Sequence, residues 1–350
     1  MKKLVIAALA IGAMAACTKS TVQYEQPGEI SLQPVTQKAT KAAIDGNDYP
    51  DDGHFKVWAW WTAKAANTSL SDINNPTLYL QDSEFAKKNN DSKWGGCKDG
   101  NPYPYYWPTT GSLVFAGYSP ASVGGGTFSF DNGTFTLTDF TQPNDIANAV
   151  DLMWFDFTTT SYNQKSNVEI NFQHALSWLT FKFNLSTPTT ETRWTITDVK
   201  LIGIENKATF TSTNNWTVPV ESDTNADVDV IDLFNNSEND YTVRYAEDGT
   251  VLPGTDTGVD GVKKNAVLVI PQSCAKDDAS IVITFDQKTY VGEGKLTGQT
   301  KTLPLNGDNI TNNMWEQGKH YIYTITFGNE ILISPKVTDW TDINQNIEVQ

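Results

Sequence analysis

The stretch that decides the fold runs from Asp151 to Leu185 and reads DLMWFDFTTTSYNQKSNVEINFQHALSWLTFKFNL. In its first strand-like part, apolar side chains occupy the even positions Val168, Ile170 and Phe172. In the second part they occupy the odd positions Leu179, Phe181, Phe183 and Leu185. Alternation of this kind is typical of half-buried β-strands, and a change of parity turns every side chain to the opposite face. The sequence therefore predicts a break between Gln173 and Trp178, and we place the junction between two β-domains there.

Short alternating segments separated by Gly, Asn, Asp and Pro continue in both directions from this junction. Strands are predicted at 29–35, 55–61, 78–80, 113–118, 127–130, 134–137, 150–157, 194–204, 208–210, 241–245, 266–270, 280–285, 301–305, 320–327 and 331–340. A helical turn is expected at 83–88, within a long insertion at 82–108. Many short strands with turn chemistry between them indicate an all-β protein built of antiparallel sandwiches.

Length and charge limit the organisation and the partners. The 350 residues allow two domains with separate cores, which we predict at 29–173 and 174–350. The formal charge is −16, and loss of Lys2 and Lys3 with a leader would leave 23 basic and 41 acidic residues, a charge of −18. Such a surface repels nucleic acid and anionic lipid, so no nucleic-acid partner is expected. An exported or cell-surface protein fits this balance.

The N-terminus is predicted to be a targeting segment. Lys2 and Lys3 precede the short apolar run from Leu4 to Met14, and Ala15-Ala16-Cys17 follows it. This order predicts a signal peptide at 1–16 and a bacterial lipoprotein, with Cys17 carrying palmitate and 17–28 forming a tether to the outer membrane. Ordinary signal-peptidase cleavage nearby is the alternative.

Two further segments bear on function. After the strand at 29–35, where Pro34 favours an edge position, Lys38 and Lys41 lie in a run of small and polar residues that proteases cut readily. At the other end, 331–350 forms a tail whose apolar residues share odd positions: Ile331, Ile333, Val337, Ile343, Ile347 and Val349. The part at 331–340 is expected to complete its own sheet. For 343–349 that role and an extended strand offered to another molecule both stay open.

The sequence contains no catalytic or cofactor motif that we recognise, so neither an enzyme nor a cofactor is predicted. None of the three histidines, His54, His174 and His320, has metal-ligand spacing, and His174 is expected to be buried and hydrogen-bonded. Asp223, Asn225, Asp227 and Asp229 resemble the start of a calcium loop, but Val228 and Phe234 replace its required Gly and Glu. A solvated acidic loop is the expectation there, with a loose surface calcium site as the alternative.

Three other groups leave alternatives open. Cys97 and Cys274 either pair, as an exported chain permits, or remain two structural thiols. The aromatic groups at 58–61 and 103–107 form either core or a sugar platform. A hydrolase has no support beyond the abundant Asp.

Several motifs, in this order along the chain, carry a family resemblance. They are Trp107-Pro108, residues 113–120, Asp151-Leu152-Met153-Trp154-Phe155, His174-Ala175-Leu176, residues 267–272, residues 315–323 and residues 337–340. In this order they resemble the fimbrillin-like proteins of Bacteroidales, which include the major and minor subunits of type V pili.

The resemblance implies two tandem transthyretin-like sandwiches and a subunit of cell-surface fimbriae that polymerises by donor-strand exchange. A trypsin-like protease would remove the strand at 29–35 by cutting after Lys38 or Lys41, and Ile343, Ile347 and Val349 of a neighbouring subunit would fill the groove. Family stalk subunits are usually cut after arginine, whereas the first arginine here is Arg193. An uncut chain that keeps its lipid would be an anchor or tip subunit. A surface lipoprotein that binds glycans and does not polymerise is the other alternative.

Overall fold

The computed structural model describes residues 28–36, 49–63, 77–88, 93–123, 125–131, 134–145, 148–161, 168–189, 191–213, 215–218, 229–233, 241–243, 250–251, 267–275, 279–290 and 294–339. These residues form an all-β structure, as the alternation predicts. Its regular non-strand element is one 3-10 turn at Thr311–Asn313. Among the described residues, no helix has the length and apolar character needed to cross a membrane.

Ten strands precede the predicted junction. They are β1 (Leu32–Thr36), β2 (His54–Thr62), β3 (Thr77–Lys87), β4 (Trp94–Lys98), β5 (Asn101–Pro102), β6 (Ser112–Ser119), β7 (Thr127–Asp131), β8 (Thr134–Thr141), β9 (Met153–Ser161) and β10 (Val168–His174).

Twelve strands follow it. They are β11 (Ser177–Leu185), β12 (Thr192–Ile204), β13 (Lys207–Thr211), β14 (Asn215–Thr217), β15 (Asp229–Asp232), β16 (Tyr241–Thr242), β17 (Thr250–Val251), β18 (Val267–Val269), β19 (Ser280–Thr289), β20 (Lys295–Pro304), β21 (Lys319–Phe327) and β22 (Leu332–Asp339).

The strands form four sheets. The first sheet has eight strands in the order β1-β10-β9-β6-β2-β3-β4-β5, with an additional pairing of β1 to β4. Two five-stranded sheets, one around β11 and β21 and one around β12 and β19, enclose a common core. The fourth sheet has four strands in the order β14-β13-β8-β7, and we call it the bridging sheet because it takes strands from both halves of the chain. Most strand pairs are antiparallel, as expected, but the pairs β1/β10 and β11/β21 are parallel. Alternation reports which face is buried, not the direction of the partner strand.

The break in alternation lies where the sequence predicts it. Phe172 of β10 is buried in the core of the first sheet, whereas Phe181 and Phe183 of β11 are buried in the core of the two five-stranded sheets. Between them, Ala175 and Leu176 are fully buried in a third cluster. The parity change therefore transfers the chain from one core to another.

The bridging sheet takes strands from both sides of the predicted boundary at 173/174. β8 pairs with β13, with Phe210 opposite Leu137. Phe135 and Phe210 join Trp154, Leu176 and other residues in the third cluster. The two halves thus share a sheet and a core, which tandem sandwiches in contact only through a linker would not. The division at 173/174 remains a prediction.

One local prediction was wrong and another was too short. The expected helical turn at 83–88 is part of β3, where Leu80 and Phe85 are buried and Asp82 has a positive φ of 46° at a register shift against β2. Because of this irregularity, buried and exposed residues do not alternate regularly along β3, and the sequence shows no clear period of two. The strand expected at 301–305 begins earlier, at Lys295, where β20 forms a hairpin with β19. The side chains of β20 are exposed up to Thr302, so this part of the strand shows no alternation of apolar residues.

The tail prediction is confirmed as far as Asp339, because β22 pairs antiparallel with β21 in a register that sets Val337 opposite Tyr321. The side chains of Ile331, Ile333 and Val337 pack on one face against the core of the two five-stranded sheets, here called the second core, as their odd positions predict.

A chain of hydrogen bonds among aromatic side chains ties this second core together. The indole Nε1 of Trp315 donates to the Tyr323 hydroxyl at 2.8 Å, and that hydroxyl donates to the Leu305 carbonyl at 2.8 Å. Nearby, burial raises the pKa of Tyr321 to about 12, although its hydroxyl accepts a bond from the Glu316 amide. All these hydroxyls therefore stay protonated at neutral pH and can serve as donors.

We expect Tyr323→Phe to lower the free energy of unfolding by about 1–3 kcal/mol, because it leaves the Trp315 N–H and the Leu305 carbonyl buried without this partner. Urea denaturation followed by near-ultraviolet circular dichroism measures the change. Tyr290→Phe is the control, since Tyr290 is 52% exposed, and should change stability by less than about 0.5 kcal/mol. Equal effects of the two substitutions would contradict this account.

Candidate functional site

The segment from Gly28 to Thr36 lies in a slot of the first sheet. β1 runs parallel to β10, with Leu32 opposite Val168 and Thr36 opposite Phe172. The Val168 amide donates to the Ser31 carbonyl at 2.9 Å, which extends this pairing by one residue. The N-terminal segment therefore completes a sheet whose other strands come from much later in the chain.

The even-numbered residues of this segment fill the core. Ile30 and Leu32 are 0% exposed, and Pro34 and Thr36 are also buried. Ile30 and Leu32 belong to the same cluster as Trp94, Trp107 and the inward face of β10. The period of two predicts this burial directly, since Glu29, Gln33 and Val35 alternate with them and lie partly or wholly in solvent.

The other side of the slot is formed by β4 and by residues 105–107. Leu32 bridges to Trp94, the Ile30 amide donates to the Tyr105 carbonyl at 2.7 Å, and the Trp107 amide donates to the Gly28 carbonyl at 2.9 Å. At the rim, the Lys88 ammonium forms an ion pair with Glu29. β1 thus joins the two ends of the first sheet. On one side it pairs with β10 along its whole length, whereas on the other side it has a single bridge, from Leu32 to Trp94. The edge position predicted from Pro34 therefore applies only to that second side, beyond the bridge.

Removal of this segment would leave a specific recess. The amides of Val168 and Trp107 and the carbonyl of Tyr105 would lose the partners described above. The inward side chains of Val168, Ile170 and Phe172 would be uncovered at the same time. Unpaired backbone groups beside a strip of core are what an added β-strand satisfies. The slot can therefore bind an extended segment with aliphatic residues at every second position.

The site residues predicted from sequence lie outside the described residues. This applies to Cys17, Lys38 and Lys41 on the N-terminal side and to Ile343, Ile347 and Val349 on the C-terminal side. Two of these positions are close in sequence to the described strands: β1 ends at Thr36, just before Lys38, and β22 ends at Asp339, just before Ile343. Of the acidic loop, only Asp229 is described.

The junction histidine has the structural environment that the sequence predicts. His174 Nδ1 lies 2.9 Å from Asp151 Oδ1, and both side chains are at most 4% exposed. This pair connects the end of β10 to the residues before β9. At the far side, the ring of His320 stacks on Trp178 at 3.5 Å and its Nε2 lies 2.9 Å from the Thr180 hydroxyl. These histidines hold strands together within the protein.

Cys97 and Cys274 form no disulfide, so that alternative is wrong: Cys97 lies in β4 and Cys274 in the core of the two five-stranded sheets.

The aromatic groups belong mainly to the structure of the first half. Trp60 and Trp107 are 4% and 3% exposed. The ring of Phe130, from the bridging sheet, covers Trp60 at 3.9 Å. A cleft of about 650 Å³ remains beside them, lined by Trp58, Leu78, Gln81 and Asp82 among others.

Sequence reasoning missed the far wall of the slot. Trp94 and Tyr105 lie in the region expected to be an insertion, and nothing in the local pattern links them to a strand some 70 residues earlier. The residues Trp94–Cys97 are all buried, but two of them are glycines, so the sequence carries no alternation that would predict a strand there. Gly96 is required there, because a Cβ at this position would lie 2.1 Å from the backbone carbonyl oxygen of Tyr103.

Comparison with known proteins agrees with this architecture. The family model described as fimbrillin-like matches residues 40–340. A fimbrial protein from Bacteroides vulgatus has a similar solved structure, with 20% identity over 89% of this chain and 99% of that chain and a TM-score of 0.61. A candidate cell adhesion protein from Bacteroides uniformis shares 17% identity over 90% of this chain and 100% of that chain, with a TM-score of 0.46. A search of curated proteins gave no match.

The slot predicts unequal effects for neighbouring residues of β1. Leu32→Ala should lower the free energy of unfolding by about 2–5 kcal/mol, because a fully buried leucine is lost from the core. Gln33→Ala, on the exposed face of the same strand, should change it by less than about 0.5 kcal/mol. Urea denaturation followed by tryptophan fluorescence tests the pair. A cost at Gln33 as large as that at Leu32 would show that β1 does not bury its even positions.

Proposed function

The chain belongs to the fimbrillin-like family, and we propose that it is a structural subunit of a cell-surface fimbrium of the type V class, with a role in adhesion. The observation that carries the proposal is the position of β1, which closes the first sheet and covers a recess shaped for a replacement strand. The fold likeness to the Bacteroides vulgatus fimbrial protein supports the same function.

The proposed route begins with export. A signal peptide at 1–16 is removed, and Cys17 carries palmitate that holds the precursor at the outer membrane. A trypsin-like protease then cuts after Lys38 or Lys41, in the segment that follows β1. The cut frees β1 to leave the slot, and other fimbrial subunits become partners through the recess.

The C-terminal tail is the proposed replacement. Residues 346–350 read NIEVQ, and residues 29–33 of the slot segment read EISLQ, so both place two aliphatic side chains two positions apart before a glutamine. In the chain direction of β1, Ile347 and Val349 take the places of Ile30 and Leu32. In the opposite direction the same two residues exchange places, and Ile343 falls on Thr36. Either direction fills the two fully buried positions.

The energy of such an exchange is large enough to hold a polymer. Three buried aliphatic side chains, those of Ile343, Ile347 and Val349, contribute about 4.5–9 kcal/mol before ordering costs, at roughly 1.5–3 kcal/mol each. Backbone pairing with Val168, Tyr105 and Trp107 adds specificity, because those groups are otherwise buried without partners.

Two other functions have an observation of their own. The absence of arginine before Arg193 favours an uncut anchor or tip subunit that keeps Cys17 and its lipid. The cleft beside Trp58, with Gln81 and Asp82 on its wall, favours a glycan-binding surface lipoprotein that does not polymerise. N-terminal sequencing of protein sheared from cells identifies the first, and saturable polysaccharide binding by a monomer identifies the second.

The tail offers a test with matched charge. Ile347→Asp with Val349→Asp should abolish polymers on the cell, because it puts carboxylates in the apolar recess. Asn346→Asp with Gln350→Glu adds the same charge on the even positions and should leave assembly intact. Immunoblots of sheared fimbriae, run after mild detergent treatment, measure the ladders. Ladders that survive both double substitutions would overturn the role of the tail.

Processing has a separate test. Lys38→Ala with Lys41→Ala should leave the N-terminus at a lipid-blocked Cys17 and stop incorporation into polymers. Cys17→Ala should remove palmitate labelling in cells while the slot segment stays intact. A mature N-terminus at residue 39 or 42 in wild-type fimbriae is the expected result, and incorporation of the uncut double variant into the stalk would contradict the proposed route.

A further inference from the structure

Three potential metal ligands lie together on the outer face of the first sheet, away from the slot interior. His54 is on β2, Glu84 on β3 and Cys97 on β4, and Glu84 is directly opposite Cys97 in the strand register. One ligand atom from each residue lies within 4.8 Å of the other two. His54 Nδ1 is already 2.6 Å from Glu84 Oε1. The sheet itself sets this arrangement, because three neighbouring strands each contribute one side chain to the same face.

The donor set matches one cation class. Zn²⁺ accepts imidazole nitrogen, thiolate sulfur and carboxylate oxygen at about 2.0–2.3 Å, which places donors roughly 3.3–3.8 Å apart around a tetrahedron. The ligand atoms of the three residues lie between 2.6 and 4.8 Å apart, which spans that range. Small rotations of the His54 and Glu84 side chains would therefore suffice to place the three donors around one Zn²⁺ ion. We propose that His54, Glu84 and Cys97 form a Zn²⁺ site, with a fourth position open to solvent.

The surroundings of the three ligands support a metal site. The Gly100 amide donates to the Cys97 sulfur from the tight turn after β4, where Asp99 and Gly100 have φ values of 53° and 74°. Amide donors of this kind stabilise a metal-bound thiolate. Lys56 Nζ lies 3.5 Å from Glu84 Oε2, which leaves Oε1 for the metal. His54 and Glu84, but not Cys97, also line a cleft of about 810 Å³ together with Lys56 and others.

The proton of the Cys97 thiol has to leave when the metal–sulfur bond forms. Burial raises the pKa of this thiol, and the charge of Glu84 raises it further. The free thiol is therefore protonated and unreactive at neutral pH, and Zn²⁺ binding releases one proton from it to solvent. The bound ion would link β2, β3 and β4, and β4 carries Trp94 on the far wall of the slot.

Cobalt substitution tests the site. The exported protein, purified and treated with a chelator, is titrated with Co²⁺, which should bind at one equivalent and give a near-ultraviolet thiolate-to-Co²⁺ charge-transfer band that Zn²⁺ removes. Cys97→Ala should abolish the band, and Cys274→Ala, which removes the other buried thiol, should keep it. Binding with no charge-transfer band would overturn the proposal.

A second pair keeps the test valid if a cysteine variant fails to fold. Glu84→Gln should weaken Zn²⁺ binding by at least about tenfold in competition with a chromophoric chelator. Asp82→Asn, an exposed acid in the same strand, should leave it unchanged. Zn²⁺ should also raise the melting temperature of the wild type and not that of His54→Gln. Equal Zn²⁺ affinity in all these proteins would show surface binding only and would contradict the site.

Discussion

The structure of the first half depends on the pairing of β1 with β10. Two segments more than 130 residues apart run parallel, and their inward side chains, Leu32 with Val168 and Thr36 with Phe172, face one core. Without β1, the ends of the eight-stranded sheet would not meet, because the bridge to Trp94 and the bonds to 105–107 come from the same short segment. Loss of this segment would therefore uncover the inward side chains of β10 and leave backbone groups of β10 and 105–107 unpaired.

Local patterns predicted the parts of the fold that local physics determines. The parity change between Phe172 and Leu179 located the transfer between cores, and the strand predicted at 29–35 overlaps β1. Where a strand carries a bulge, as β3 does at Asp82, or lies in solvent, as most of β20 does, the period of two is lost. The helical turn predicted in β3 was therefore wrong, and the strand predicted at 301–305 was too short.

Which segments pack or pair with each other was not predictable from the sequence, because these contacts join residues far apart along the chain. Nothing local indicates that Phe210 packs with Phe135 in a sheet shared by both halves, or that Tyr105 accepts a bond from Ile30. The same limit applies to the His54, Glu84 and Cys97 cluster. Its residues are 30 and 13 positions apart with no motif spacing, and only the register of β2, β3 and β4 brings them together.

In the proposed strand exchange, the connection between β1 and β2 would determine whether the slot can exchange its strand. While residues 37–48 are intact, β1 competes for the slot at the effective concentration of a tethered segment, on the order of millimolar, and a second molecule at lower concentration cannot displace it. A cut in that connection turns β1 into a separate peptide that is diluted once it dissociates. Its two fully buried anchors, Ile30 and Leu32, then compete on equal terms with any segment of the same pattern. On this proposal, covalent continuity, more than the strength of the contacts in the slot, would keep β1 in place.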